Sequence, residues 1–278
     1  MPVTAFNKGA SDRVAPFAFW LLLSSSLLLA GSPQTATASA CQAIKTGERV
    51  QVVYVYDGDT VKLNDGRRLR LIGINTPELG REDQPTQPLA DAARSALQRL
   101  LETHNRILLL QYGMQDHDHY GRLLAHAFLE DGDNIAVYML QQGFATTLVV
   151  PPNSWGADCY QRVENEARLD RRGLWALPDY QPQAALSLPL STRGFRIVHG
   201  QISEIRTTRD TVWVDMDGPL VLQVSRKDLV NFDSLENLVG QQVEVRGWIK
   251  QDRDGLRMKI QHPAAVAAIT RAPQQRYY

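Results

Sequence analysis

An excess of charge of either sign is missing from this sequence. Lys plus Arg and Asp plus Glu number 30 each, so the 278 residues carry a formal net charge of zero. Chains that coat nucleic acid by bulk attraction carry a basic surface, and that class is excluded. An enzyme that gathers a few cations in one cleft is not. Cysteine is nearly missing too: Cys41 and Cys159 are the whole supply, which permits at most one disulfide. The apolar stretch at 17–30 is too short and too interrupted by serine to make a good membrane span, so no stable span is expected. It follows Lys8 and Arg13 and precedes Ala38-Ser39-Ala40. Charged, then apolar, then A-x-A is the order of a secretory signal peptide. Residues 1–40 are therefore read as a signal that sends the chain to the periplasm or outside the cell.

That reading leaves Cys41 at the new N-terminus. Paired cysteines are the norm in oxidising compartments, and a Cys41–Cys159 bond would close a loop of more than 100 residues. The rival is a lipidated N-terminal cysteine, although the residues before Cys41 lack the leucine such sites usually carry.

What is present is mostly strand, with helices between. Val50, Val52 and Tyr54 alternate, followed by Thr60-Val61-Lys62-Leu63 and Leu69-Arg70-Leu71-Ile72, with the tight-turn signal Asn64-Asp65-Gly66 between the last two. Leu89, Ala93, Ala96, Leu97, Leu100 and Leu101 recur at helical spacing. Strand signals return at 107–110 and 123–129. A short helix is expected at 135–142, ending at Gly143, and a third through Cys159, Val163 and Ala167, stopping near Gly173. The stretch 177–193 holds Pro178, Pro182 and Pro189 with little periodicity and reads as a linker. Beyond it, short strands closed by turns suggest a second small barrel at 194–270, then a loose tail at 271–278. No sequence repeat links the two parts.

Three segments carry chemistry. Asp57 and Asp59 lie two apart, so an extended backbone turns both carboxylates to one face; Gly58 between them permits a bend or a close approach. Hard oxygens of this kind suit Ca²⁺ or Mg²⁺, although Asp-Gly-Asp on its own is more often a turn. In Asn75-Thr76-Pro77-Glu78, Pro77 biases Thr76 toward an extended conformation that presents its carbonyl, and Glu78 is a solvated acid or a general base for water. Arg70, inside an apolar strand, and Arg122, in Tyr120-Gly121-Arg122, are side chains of the type that grips phosphate oxygens in pairs. Two acids, a base and two arginines are the inventory for metal-assisted phosphoryl hydrolysis.

In this order and wording, DGDT, then R-L-x-x-x-N-T-P-E, then D-x-Y-G-R, residues 48–177 resemble the staphylococcal nuclease family; Gln142-Gly143 and Gly173-Leu174-Trp175 extend the likeness. The resemblance implies an α+β fold, mainly β: a five-stranded barrel of oligonucleotide-binding type with three helices, spanning 41–177, ahead of the second barrel. It implies Ca²⁺, or another divalent ion, held directly by Asp59, with Asp57 close behind, Asn75 in the place of a second ligand aspartate and Thr76 offering its carbonyl. Glu78 would deprotonate water, and Arg70 and Arg122 would stabilise the charge on phosphorus. DNA or RNA would be cut to leave 3′-phosphate ends.

Two features depart from the family pattern. Asn75 removes one negative charge, which should weaken Ca²⁺ binding. The segment 144–151 lacks the tyrosines that the family's nucleotide pocket often places there, so base stacking must come from elsewhere. A barrel that binds nucleic acid or protein without cutting is therefore the competing expectation. Asp116-His117-Asp118-His119 has metal-binding residue types but reads as an exposed loop. In the second barrel, basic residues interleave with Trp213 and Trp248. Either they hold single-stranded nucleic acid or the aromatics are structural.

Overall fold

A computed structural model of the chain describes residues 41–42, 47–80, 85–252 and 255–269. The leader at 1–40 and the tail at 271–278 lie outside the described residues.

Five strands close the first barrel: β1 (Glu48–Val55), β2 (Thr60–Leu63), β3 (Arg68–Leu71), β5 (Ile107–His117) and β6 (Leu123–Phe128), in the ring order β1-β2-β3-β6-β5. The β3–β6 pairing is parallel and the others are antiparallel. Alternation turns Val50, Val52, Leu63, Leu69, Leu71, Leu108, Leu110 and Leu123 into one apolar core. Helix α1 (Ala90–Thr103) adds Ala93, Leu97 and Leu101 to it, at the spacing of one helical face. Helix α2 (Ile135–Gln141) starts where the Asn134 side chain accepts the N–H groups of Ala136 and Val137. Helix α3 (Ala157–Leu169) buries Cys159, Tyr160, Val163 and Ala167. The mixed, mainly β architecture expected from the sequence is found.

Three local features differ from the sequence reading. Strand β5 runs past residue 110 to His117 because its outer half, exposed and polar, still pairs with β6 across a register shift. Helix α3 ends at Leu169, with Arg171 at φ 53°, and the turn to Gly173 is made outside it. A small second sheet also forms between β4 (Gly73–Asn75) and β7 (Thr146–Leu148), pairing Asn75 with Thr146. Gly73 makes it possible. It lies at φ 88°, and a Cβ there would meet the Tyr160 ring at 2.3 Å.

Cys41 and Cys159 form a disulfide with Cα atoms 5.8 Å apart and a sequence separation of 118. A loop that long is worth about 5 kcal/mol in the chain-entropy account.

The second barrel consists of β9 (Gly194–Thr207), β10 (Thr211–Met216), β11 (Leu220–Ser225), β12 (Gln242–Asp252) and β13 (Gly255–Lys259). They form a ring in the order β9-β10-β11-β13-β12, with β11–β13 parallel. Strand order and directions are those of the first barrel, despite the absence of a sequence repeat. Strand β14 (Val266–Ala268) extends it beside β12. The proline-bearing stretch 177–193 is laid down on this barrel: β8 (Pro182–Ala184) pairs in parallel with β9, and Ala185 and Leu188 enter the second core. Pro182 is tolerated because β8 is an edge strand, where a missing N–H need not break a ladder.

The two barrels are locked together through α3. Glu164, fully buried, pairs with Arg246 of β12, and Arg168 grips Glu244 of β12 with two bonds of 2.6 and 2.7 Å. Gln161 donates to the Ala264 carbonyl at 2.8 Å. Trp175, Tyr180, Phe195 and Trp248 continue the contact as a chain of rings with centroids 5.2–5.9 Å apart.

Candidate active site

The site is built around one carboxylate. The chain turns tightly after β1, where the Tyr56 N–H donates to the Thr60 carbonyl and the Asp59 N–H to Asp57 Oδ1. A Cβ on Gly58 would meet Thr76 Cγ2 at 2.8 Å and Ala93 Cβ at 2.9 Å, so a bare backbone lets the turn pack against the end of β4 and α1. Asp59 is thereby buried, with 2% exposure. Its Oδ2 accepts both the N–H (2.8 Å) and the hydroxyl (3.0 Å) of Thr76. Its Oδ1 accepts the Thr60 hydroxyl and faces Arg70 Nε, each at 3.0 Å. Four partners occupy about the four lone-pair positions a carboxylate has. A cation can join Asp59 directly only by displacing one of them, and Arg70 is the partner whose charge it would duplicate.

Arg70 does more than face Asp59. Its Nη1 donates to the carbonyls of Leu71 (2.5 Å) and Ile74 (3.0 Å), and its Nη2 to Asn75 Oδ1 (3.2 Å). Asn75 in turn donates from Nδ2 to the Thr76 carbonyl at 3.1 Å. Arg70 thus holds β3, β4 and the Asn75-Thr76 corner together. The two metal-binding oxygens expected at this corner, Asn75 Oδ1 and the Thr76 carbonyl, each accept a hydrogen bond from within it.

Burial, and then the charge of Asp59, push the Asp57 carboxyl well above the usual carboxylate range; Glu78 adds to the effect and so lies within electrostatic reach. Glu78 itself is exposed. Its backbone is clamped by Gln87, which accepts the Glu78 N–H and donates to its carbonyl, each at 3.0 Å.

Arg122 is aimed by Asp118, which accepts its backbone N–H (2.9 Å) and its Nε (2.7 Å). Burial alone would raise the Asp118 carboxyl, but these bonds outweigh it and hold Asp118 below its ordinary value. Asp118 is therefore an arginine-positioning residue rather than part of a metal cluster. The repeated spacing of D-x-Y-G-R, an acid with Gly three residues on, is the turn signal that marks it. Among the described residues no three His, Cys, Asp or Glu side chains converge to cage a metal ion.

Arg70 and Arg122 share the lining of a pocket of about 300 Å³ with Leu148, Val150, Asn153 and His119. Asp57, Asp59 and Glu78 do not line it. The segment 144–151 supplies aliphatic walls here. Aromatic surface comes instead from His119 and the exposed Tyr120, whose rings lie 3.7 Å apart, with the Arg122 guanidinium 5.5 Å from the Tyr120 ring. The sequence reading named His119, Tyr120 and Thr60 only as members of their motifs and gave none of them these contacts.

Comparison with known proteins bears on these residues. The model of the family described as staphylococcal nuclease homologue matches residues 68–177. A thermonuclease of Staphylococcus intermedius is 33% identical over 132 residues, covering 46% of this chain and 77% of that protein. The chain belongs to the staphylococcal nuclease family. Further relatives are a thermonuclease of Staphylococcus hyicus, 30% identical over 45% of this chain and 75% of that protein, and the endonuclease YncB of Bacillus subtilis (strain 168), 30% identical over 45% of this chain and 60% of that protein. The named relatives are nucleases, and nucleases of this family use divalent metal ions. The family model begins at Arg68, so it leaves out Asp57 and Asp59. Their membership of the site rests on the bonds from Asp59 to Arg70 and Thr76. The donor set of Asp57, Asp59, Asn75, the Thr76 carbonyl and Glu78 is hard oxygen throughout, and it brings three acids to one corner of the fold with Arg70 paired to Asp59. Both properties fit a hard divalent cation.

Proposed function

We propose that the chain is an exported Ca²⁺-dependent nuclease that hydrolyses DNA or RNA to fragments with 3′-phosphate ends. The observation that carries this reading is the Asp59 node, which ties the 56–60 turn, Arg70 and the Asn75-Thr76 corner together through four bonds.

Asp59, Asn75, the Thr76 carbonyl and Asp57 would hold the ion, which when bound supplies positive charge beside the phosphate. Glu78, exposed at the rim on a clamped backbone, takes the proton of the attacking water. Water oxygen bonds to phosphorus, the bond to the 5′-oxygen breaks, and that oxygen gains a proton from solvent. Arg122, held by Asp118, and Arg70 donate to the phosphoryl oxygens as negative charge builds on them. Fixed donors cost little reorganisation at that moment, which is why Asp118 matters to the chemistry. His119 and Tyr120 offer the stacking surface for a base. Export is supported by the order of residues 1–40 and fits a disulfide between Cys41 and Cys159.

The test is cleavage of supercoiled plasmid and of RNA with Ca²⁺, and end-group analysis of the products. Glu78→Gln and Arg122→Ala should each lower turnover by about 100-fold or more. Cleavage that is unchanged in both variants, or missing with every divalent ion, overturns the reading. A second reading, a module that binds nucleic acid or protein without cutting, is favoured by one observation: Asn75 bonds to Arg70 and Thr76 and brings no charge to a cation. Tight oligonucleotide binding with no turnover would select it.

A further inference from the structure

The second barrel carries a cleft that the nuclease chemistry does not use. Its volume is about 660 Å³, and one wall is Thr147 and Leu148 of β7 with Val149 just after it. The opposite wall is the outer face of the second barrel. Alternation along β12 sends Val245, Gly247 and Ile249 inward and leaves Arg246, Trp248 and Lys250 outside; β13 likewise presents Arg257 and Lys259 around the buried Met258. Register sets these side chains in rows, with Lys250 beside Arg257, Lys259 beside Gln223, and Gln223 beside Trp213. The Arg257 guanidinium sits 4.6 Å from the Trp213 ring centre. The face therefore alternates cations with flat aromatic or amide groups across four strands. Among the described residues, Asp252 is the one acid in the lining.

Leu148 lines both this cleft and the pocket that holds Arg70 and Arg122. The two spaces adjoin along strand β7. We propose that the cleft is a track for single-stranded nucleic acid, continuing the substrate path from the cleavage site across the second barrel. The inference takes its substrate class from the nuclease reading. Lys250 and Lys259, both exposed, meet backbone phosphates, and Trp248 in the cleft offers a face to unpaired bases, with Trp213 one strand further on beside Gln223. A duplex hides its base faces and gains nothing from the tryptophans. A zero net charge is no obstacle, since two exposed lysines, Lys250 and Lys259, lie together in one cleft.

Binding of labelled oligothymidylates in EDTA, where nothing is cut, tests this by fluorescence anisotropy. A strand of about 16 nucleotides should bind the full chain roughly tenfold or more tighter than one of about 4. In the Lys250→Ala/Lys259→Ala double variant most of that length advantage should vanish. The slope of log affinity against log salt for the longer strand should also fall by about 1.4, from two lost phosphate contacts at about 0.7 each. Lys227→Ala, which removes a charge elsewhere on the same barrel, should leave both quantities unchanged. The proposal is overturned if affinity is independent of length, if the double variant keeps its advantage, or if Lys227→Ala reduces it equally. It is also overturned if polyglutamate of matched charge competes as well as the oligonucleotide, which would mark an acidic protein as the ligand. Loss of cleavage would count against the nuclease reading alone, because this binding needs no turnover.

Discussion

Replacing Arg246 by methionine should unsettle the whole molecule, not only the second barrel. Glu164 has no exposed surface and the Arg246 side chain only 11%, so the pair is out of water. One Glu164 oxygen faces the arginine; the other accepts the Thr147 N–H at 2.7 Å. Arg246→Met roughly keeps the volume but leaves a buried carboxylate without its ion partner. Breaking a buried pair from one side costs about 3–5 kcal/mol. Typical domain stability is about 5–15 kcal/mol, so a large part of it would be lost. Glu164→Gln in the same chain removes the stranded charge and keeps an oxygen for Thr147. The double variant should therefore recover about 2 kcal/mol or more relative to Arg246→Met. Urea unfolding followed by tryptophan fluorescence reads this directly, since Trp175 and Trp248 lie at the contact between the barrels. A cost below about 1 kcal/mol for Arg246→Met, or a double variant no better than the single, would refute a buried, mutually dependent pair.

Three other outcomes follow from the site and its surroundings. Asn75→Asp places a carboxylate where Arg70 and the Thr76 carbonyl meet; calorimetry should show Ca²⁺ binding tightened roughly tenfold, and an unchanged affinity would remove residue 75 from contact with the ion. Gly58→Ala drives a methyl group into Thr76 and Ala93, so melting should report a loss of about 1–3 kcal/mol and turnover should fall with it; a variant as stable and active as the parent would show that the turn has room to spare. His126 is neutral in its buried place, where burial pushes its pKa from 6.5 down to about 4. The unfolded chain takes up a proton below about pH 6.5 and the folded chain only near 4, so this group's share of stability is intact above 6.5 and is lost as pH falls between the two. The loss totals about 3 kcal/mol, and in urea titrations His126→Gln should flatten that stretch of the pH profile; an identical profile would refute the assignment.

Much of the first barrel was legible in the sequence, because a strand with one face in the core repeats every two residues and Val50, Val52, Leu69 and Leu71 keep that period. The acids and arginines were legible as residue types in a distinctive order. What they bond to was not. Nothing in Arg70 announces that four of its contacts point inward, to Asp59, Leu71, Ile74 and Asn75. Those contacts depend on where β4 lies, and β4 is three residues held by β7, about 70 positions later. So short a pairing leaves no periodic trace. The same holds for the docking of the barrels: Glu164 and Arg246 are 82 residues apart, and nothing in the sequence around either one names the other as its partner. The stretch 177–193 read as a linker because prolines hide strand propensity. The structure uses one of them on an edge, where its missing N–H does no harm.

The crossed charges between α3 and β12 have one more consequence. Along the helix the order is acid then base, Glu164 then Arg168; along the strand it is also acid then base, Glu244 then Arg246, and the two elements pair in opposite senses. Slide the strand by two residues, or turn it end for end, and like charge meets like. The contact therefore has a polarity and admits one seating. A strand lying in the cleft would be delivered to Arg70 and Arg122 from one direction and at one distance. The molecule would then measure as well as cut, and its shortest products should share a common length.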